Sequence, residues 1–277
     1  MTAGSRSNRL LSGARAVSLG ALVLSSLLFS SGANAGDPEQ VQQLLSKTHS
    51  LVEQFVDQFS ILRYEEDVAQ QKLKSKESDK VAYKQETVFD SIVQMRFDDG
   101  KLRVEEQRLM EKMPVHVQSR PLVSTYGFST MAMIFHPYYE SSFRFTGLQD
   151  GTLQGKTLAC VHFEHIAGTP SPLLYQMINA DRPVELTGTA WIDPETGQIY
   201  RIVAETGSTL SDMGLKTIRA DVVYGPVLLQ DETNPQWLPI SATIDLETPR
   251  QHWRNIHHFT DYRKYRVAVS ISGGKTE

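Results

Sequence analysis

The chain has 277 residues, with 28 Lys and Arg against 32 Asp and Glu and a formal net charge of −4. An acidic balance without any Lys/Arg block argues against nucleic acid as a partner, because such a surface repels phosphates. The single cysteine, Cys160, excludes an intramolecular disulfide.

The first 35 residues have the layout of a cleavable secretory signal. Arg6, Arg9 and Arg15 stand without any acid, an apolar run over residues 16–29 follows, and Ala33-Asn34-Ala35 offers a small-x-small cleavage site. The apolar run is shorter than the roughly 20 residues of a membrane-spanning helix. We predict cleavage before Gly36, which changes the formal charge from −4 to −7; a retained N-terminal anchor is the alternative.

The predicted compartment is a bacterial periplasm. An exported chain without disulfides fits the periplasm better than a eukaryotic extracellular space, where small domains are often disulfide-rich. No second stretch of 18 apolar residues follows the signal, so no transmembrane segment is expected after cleavage.

The mature chain begins with one helix and continues mainly with strands. Apolar residues spaced by three and four predict an amphipathic helix over residues 41–59. The periodicity then changes to two, which predicts a strand over residues 61–68 and a charged loop or hairpin tip over residues 72–80. Strands 87–97 and 101–109 follow, joined by an Asp98-Asp99-Gly100 turn.

A Met-rich segment over residues 127–140 predicts a short helix, apolar nearly all round and stopped by Pro137. Turn signals divide the remainder into seven predicted strands: 143–148, 156–166, 184–193, 198–206, 216–224, 237–247 and 257–271. The many strands and two helices predict a mainly β (α+β) fold. Because antiparallel sheets of this size accumulate twist, we predict a strongly curved antiparallel sheet that forms a half-open β-barrel, with an N-terminal helix and a short central helical plug.

Seven residues are candidates for an apolar cavity inside this half-barrel. Phe89, Val93, Met95 and Phe97 share one face of a predicted strand, and Met131, Met133 and Phe135 belong to the Met-rich segment. Thioethers adapt to irregular acyl surfaces, although a Met stripe is also common in ordinary cores.

Several features of the chain occur together: the signal, the N-terminal helix, the long meander, the central plug and the hairpin Gly188-Thr189-Ala190-Trp191-Ile192-Asp193-Pro194-Glu195-Thr196-Gly197. In this combination the chain resembles the periplasmic lipoprotein-carrier superfamily, which includes outer-membrane lipoprotein-sorting carriers and sensor domains of sigma regulators. The resemblance implies a half-barrel that holds acyl chains under a helical lid.

The C-terminal strand carries a second candidate surface. With period two, Phe259, Asp261, Arg263 and Tyr265 share one face, and Tyr262 and Lys264 share the other. Phe259, Tyr262 and Tyr265 are therefore candidates for a partner-binding edge. The alternative is a terminal strand whose aromatic residues close the core and whose charges prevent aggregation.

Motifs for catalysis and metal binding are missing. No Gly-x-Ser-x-Gly, HExxH or CxxC occurs, and no metal, cofactor or catalytic residue is predicted. His252, His257 and His258 cluster near the C-terminus, and whether they bind metal stays open at this stage.

The sequence thus predicts a signal over residues 1–35, one half-barrel domain over 36–271 and a disordered tail over 272–277. The predicted function is non-enzymatic binding of a lipid or an acylated protein in the envelope, for transport or sensing, with an envelope membrane protein as a further candidate partner. A structural or regulatory interaction module without a lipid cavity is the alternative, and an unrecognised hydrolase is a weaker one.

Overall fold

The computed structural model describes residues 38–75, 78–112, 125, 127–175, 182–206, 210, 214–230 and 232–264. The predicted signal and tail lie outside these residues. One α-helix, two 3₁₀ helices and twelve strands are described. They are α1 (Pro38–Phe59), β1 (Leu62–Ser75), β2 (Ser78–Asp98), β3 (Lys101–Lys112), the 3₁₀ helices Phe128–Phe135 and Pro137–Ser142, β4 (Phe143–Leu153), β5 (Lys156–His165), β6 (Leu174–Tyr175), β7 (Arg182–Pro183), β8 (Leu186–Ile192), β9 (Ile199–Thr206), β10 (Thr217–Val227), β11 (Gln236–Glu247) and β12 (His252–Lys264).

Ten of these strands form one antiparallel sheet in the order β3-β2-β1-β12-β11-β10-β9-β8-β5-β4. Strands that follow each other in the sequence are mostly neighbours, and the first strand, β1, pairs with the last, β12. The two edge strands of the sheet are therefore β3 and β4. The sheet is open and curved, which confirms the predicted fold class. Strands β6 and β7 form a separate small hairpin.

The sheet buries one face against the helical segments. Along β1, Leu62, Tyr64, Glu66 and Val68 alternate as buried positions with half-buried ones. Helix α1 places an apolar stripe on this face through Val41, Leu44, Leu45, Val52, Phe55, Val56 and Phe59. This spacing by three and four makes α1 one-sided, so its other side stays exposed.

The Met-rich segment forms the first 3₁₀ helix, Phe128–Phe135, and its side chains complete the core. Met131, Met133 and Phe135 are fully buried. The segment is anchored to the sheet because the backbone N–H of Ala132 donates to Tyr224 Oη at 2.9 Å. A second 3₁₀ helix starts at Pro137, where the missing N–H of proline costs no helical hydrogen bond.

Strand β12 is an interior strand, paired with β1 on one side and β11 on the other, and not the predicted edge. The predicted alternation of its side chains is also wrong. Asp261 has a φ of 49°, and the β1–β12 register shifts at this point. Because a β-bulge of this kind inserts an unpaired residue, Phe259 and Tyr262 both become buried.

The charged run over residues 72–80 lies at the tip of the β1–β2 hairpin, which is the second of the two predicted alternatives, and most of it is strand and not loop. Its charges have partners on β12. Arg254 contacts Asp79 at 3.0 Å, and the ammonium of Lys72 lies 5.9 Å from the centre of the Trp253 ring. These cross-strand contacts support the extended hairpin.

No helix within the described ranges is long and apolar enough to cross a membrane.

Helix α1 packs against the β8–β9 turn. Lys47 Nζ donates to Pro194 O at 3.1 Å and to Glu195 O at 3.2 Å, and Thr48 Oγ1 donates to Gly197 O at 3.0 Å. Gly197 has a φ of 82°, and a Cβ at this position would lie 2.7 Å from Lys47 Cβ.

We expect Gly197→Ala to destabilise the protein more than Gly155→Ala. Gly155 has a φ of 80°, and a Cβ at this position would meet no other atom. Its replacement therefore costs only the strain of a left-handed backbone at alanine, about 1–2 kcal/mol. At Gly197 the clash with α1 adds about 1–3 kcal/mol. Urea unfolding measures both values, and equal costs would mean that α1 does not press on this turn.

Candidate ligand cavity and buried polar network

A cavity of about 330 Å³ lies between α1 and the neighbouring ends of strands β9, β10 and β11. Its lining comes from α1, the first 3₁₀ helix, the β8–β9 turn, and the strands and loop of the β10–β11 hairpin. The lining residues are Leu51, Val52, Gln54, Phe55, Gln58, Ala132, Gly197, Gln198, Ile199, Tyr224, Glu232, Asn234, Pro235, Gln236 and Trp237. The volume lies at the lower end of the roughly 300–1,000 Å³ range of small-molecule sites.

Both layers contribute apolar side chains to the lining of this cavity. Helix α1 contributes Leu51, Val52 and Phe55, and the sheet contributes Ile199 and Trp237. Trp237 is held in place because its Nε1 donates to Ile199 O at 2.6 Å. The cavity can therefore take a narrow apolar group between the helix and the sheet.

The β10–β11 loop gives the cavity a polar side. Glu232 forms an ion pair with Lys264, and hydrogen bonding to Lys264 lowers the pKa of the Glu232 carboxyl. Gln236 Nε2 donates to Glu232 Oε2 at 2.8 Å. The other amide atom, Gln236 Oε1, is buried and has no hydrogen-bond partner among the described residues.

The residues predicted from the sequence as cavity candidates do not line this cavity. Met131, Met133, Phe135 and Val93 are fully buried, and Met95 is buried beside them in the same core. Phe89 lies with its ring 5.5 Å from the guanidinium carbon of Arg108. Phe97 is 59% exposed and contacts Tyr138 edge-on at a ring distance of 5.9 Å.

The candidates on β12 lie in the interior. Phe259 and Tyr262 are buried, and their rings lie 5.7 Å and 5.2 Å from that of Tyr64. Tyr262 Oη donates to Pro239 O at 2.7 Å, so its hydroxyl is satisfied inside the protein. Tyr265 lies outside the described residues.

A buried polar network crosses the inner face of β1 and β12. Glu66 Oε1 lies 2.7 Å from His257 Nδ1, and His257 Nε2 lies 2.8 Å from Thr125 Oγ1. Asn255 Nδ2 donates to Thr125 Oγ1 at 3.2 Å. One consistent order runs from the Asn255 amide through the Thr125 hydroxyl to Nε2, with Nδ1–H donating to Glu66.

Arg108 joins this network to a second carboxylate. Its Nη2 lies 2.8 Å from Glu66 Oε1, and its Nε lies 2.6 Å from Glu106 Oε1. Burial raises the pKa of Glu106 above its ordinary value of 4.5, although Arg108 and the Gly127 N–H oppose this shift. Two carboxylates thus share one buried guanidinium.

An acid, an imidazole and a hydroxyl in this order resemble the arrangement of a hydrolytic triad. Thr125, however, is only 5% exposed, and its hydroxyl already accepts a hydrogen bond from Asn255. Glu66, His257 and Thr125 are all absent from the cavity lining. Among the described residues the Thr125 hydroxyl is enclosed, so we interpret the network as a polar part of the core.

The three C-terminal histidines do not converge. His257 is buried beside Glu66, His258 is exposed, and His252 Nε2 lies 3.4 Å from Asp245 Oδ1. Across the described ranges, no three His, Cys, Asp or Glu side chains come close enough to hold a metal ion.

One signal in the sequence could have revealed the polar network. Glu66 has the same strand parity as Leu62 and Tyr64, which places a carboxylate on the apolar face of β1. His257 stands in the same relation to Phe259 on β12. The cavity had no comparable signal, because its lining comes from four separate parts of the chain that meet only after folding.

No protein-family model matches the chain, and no curated protein matches it. The solved structures that are similar to it include members of two named families. One is a DUF1329 family protein from Desulfovibrio piger, with a TM-score of 0.43, 12% identity, and coverage of 83% of this chain and 95% of the other. The second is a LolA superfamily protein from Nitrosomonas europaea, with a TM-score of 0.37, 9% identity, and coverage of 83% and 94%.

We expect Glu66→Ala to destabilise the fold by about 3–5 kcal/mol, because it leaves Arg108 and His257 buried without the carboxylate they share. The matched control is Glu105→Ala, whose exposed carboxylate contacts Arg96 at 2.7 Å and contributes less than about 1 kcal/mol. Urea unfolding measures both. Equal losses would show that the buried network contributes no more than a surface pair.

We expect Glu106→Gln to gain stability relative to the wild type as pH rises above 4.5. The pKa of Glu106 is higher in the folded protein than in the unfolded chain. The wild type therefore loses stability as pH rises from the pKa of the unfolded chain to the pKa of the folded protein. Glutamine does not titrate and keeps an acceptor for the Gly127 N–H. Unfolding free energies from pH 4 to 8 test this, and a constant or shrinking difference between the two proteins would contradict it.

Proposed function

We propose that this protein binds an apolar ligand, such as one acyl chain of a lipid or lipoprotein, in the cavity beneath α1, for transport or sensing in the cell envelope. The observation that carries the proposal is the cavity itself. Its lining combines apolar side chains of α1 and the sheet with polar side chains of α1 and of the β10–β11 loop. This is the arrangement expected for a molecule with an apolar chain and a polar head.

The size of the cavity favours one chain over several. Each buried methylene contributes about 0.8 kcal/mol, so about ten of them supply roughly 8 kcal/mol. The loss of translational and rotational freedom opposes this by about 4–15 kcal/mol. At the lower end of that cost the net binding free energy is about −4 kcal/mol, so binding of one chain is weak and readily reversible.

Helix α1 is the element that would admit the ligand in this proposal. It lies across the cavity, and its polar attachments include the contacts of Lys47 and Thr48 with the β8–β9 turn. The N-terminal signal signature supports placement in the periplasm, and the closed Glu66–His257–Thr125 network supports a non-enzymatic role.

A second candidate function is an envelope interaction module with a self-filled concavity. Complete burial of Met131, Met133 and Phe135 favours it, because these side chains occupy the space where a central ligand would lie. Lipid extraction and native mass spectrometry of the protein purified from its own envelope separate the two functions. A carrier retains lipid, whereas a filled module does not.

We expect Leu51→Trp to weaken binding of a neutral, fluorescently labelled acyl ester at least tenfold, because the indole fills the cavity. Leu51 is half-buried on α1, so the larger side chain need not enter the core. The control is Ile61→Trp, at a position that is 46% exposed and outside the cavity lining. If the wild type does not bind the probe, or if both variants bind it like the wild type, the cavity is not the site.

A further inference from the structure

Two buried histidines lie at the contact between α1 and the 3₁₀ segments. His49 belongs to the buried side of α1, and His136 stands between the two 3₁₀ helices. The two rings are close enough for a charge on His49 to act on His136. Imidazole is the side chain whose charge ordinarily changes between pH 5 and 8. A buried pair of this kind makes the contact between two segments sensitive to pH.

The ring of His136 caps the second 3₁₀ helix, and it can do so only while it is neutral. Its Nδ1 accepts a hydrogen bond from the backbone N–H of Tyr138 at 3.1 Å. A protonated imidazole carries hydrogens on both ring nitrogens and has no acceptor left. Protonation of His136 would therefore remove the cap and place two donors against each other.

The ring of His49 is also arranged for the neutral form. Its Nε2 is buried and has no hydrogen-bond partner among the described residues, so a cationic ring would lack an acceptor there. Burial lowers the pKa of both His49 and His136 below the ordinary value of 6.5. As pH falls below 6.5, a form with exposed rings binds protons more readily than the closed form. Acid therefore favours opening of the contact.

Other charged groups surround the two rings. Glu53 on α1 raises the pKa of both histidines, and Glu140 on the second 3₁₀ helix raises that of His49, but burial is the larger effect. The first 3₁₀ helix has no ionisable side chain, and burial raises the pKa of Tyr139, which stays neutral. The strands that pack against α1 also carry ion pairs: Arg63–Asp90, Arg96–Glu105, Arg103–Asp98, Arg144–Glu164, Arg254–Asp245 and Lys216–Glu247. Glu53 and Glu140 thus moderate the response to acid without removing it.

We propose that His49 and His136 form an acid-sensitive latch between α1 and the 3₁₀ segments, which is closed while both rings are neutral and opens when they bind protons. The latch adjoins the cavity. Val52 lies one turn after His49 on α1, Ala132 lies in the 3₁₀ helix that ends just before His136, and both line the cavity. Opening loosens α1 over the cavity. The consequence, release of an apolar ligand as pH falls, rests on the proposed function.

Hydrogen exchange of the α1 amides tests the latch without any ligand. The variant His49→Leu/His136→Asn has neither ring, and asparagine is a preferred N-cap residue that can still accept from the Tyr138 N–H. Comparing the two proteins at the same pH cancels the intrinsic exchange rate. We expect the ratio of wild-type to variant exchange rates in α1 to rise about fivefold from pH 7.5 to pH 5.5, as loss of one helix cap allows.

A matched control separates the latch from a general effect of histidine protonation. His162 is exposed on β5, and His162→Gln should exchange like the wild type at both pH values. If the double variant does not fold, the single variant His49→Leu keeps the cap and is expected to show part of the protection at pH 5.5. A rate in His49→Leu equal to that of the wild type would then overturn the latch.

Binding of the labelled acyl ester tests the consequence for the cavity. The ester is uncharged, so its own titration does not contribute. We expect its affinity for the wild type to fall about fivefold from pH 7.5 to pH 5.5, in step with the loosening of α1, and its affinity for the double variant to stay constant.

The outcomes separate the latch from the function of the cavity. If the exchange ratio in α1 is the same at both pH values, the latch is overturned, whether or not the ester binds. If acid loosens α1 and the ester binds at neither pH, the proposed function fails and the latch stands. If acid loosens α1 and the ester binds equally well at both pH values, the latch does not control the cavity, and that part of the inference is overturned.

Discussion

A curved antiparallel sheet with an apolar concave face needs a cover, and two helical segments provide it in this protein. Helix α1 and the 3₁₀ helix Phe128–Phe135 bury their apolar side chains against the sheet in one continuous core. Because interiors are close-packed, any mismatch between helix and sheet leaves a void or causes a clash. Both consequences occur along α1, which presses tightly on Gly197 and leaves a cavity a few residues further along.

The same core also contains charged side chains. Glu66 on β1, Arg108 on β3 and His257 on β12 contact one another inside the protein. These groups satisfy one another and Thr125, so burial is tolerated without access to water. The resemblance to a catalytic triad is therefore geometric, since the hydroxyl that would have to react is enclosed.

The polar side of the cavity depends on contacts between the β10–β11 loop and the end of β12. Lys264 forms an ion pair with Glu232, and Glu232 accepts a hydrogen bond from Nε2 of Gln236. Apolar side chains supply affinity for an acyl chain but cannot distinguish one head group from another.

The spacing of apolar residues was enough to predict the antiparallel strands and the amphipathic α1, because each of these depends on the local period of the sequence. The Met-rich segment was predicted as a short helix from its apolar composition, and the structure shows it as a buried 3₁₀ helix. Tertiary structure alone decided the rest. The bulge at Asp261 changed the parity of β12 and buried Tyr262, which no fixed period can anticipate. The cavity likewise needs α1, the 3₁₀ segment, the β8–β9 turn and the β10–β11 hairpin to meet, and their distances depend on packing between residues far apart in the chain.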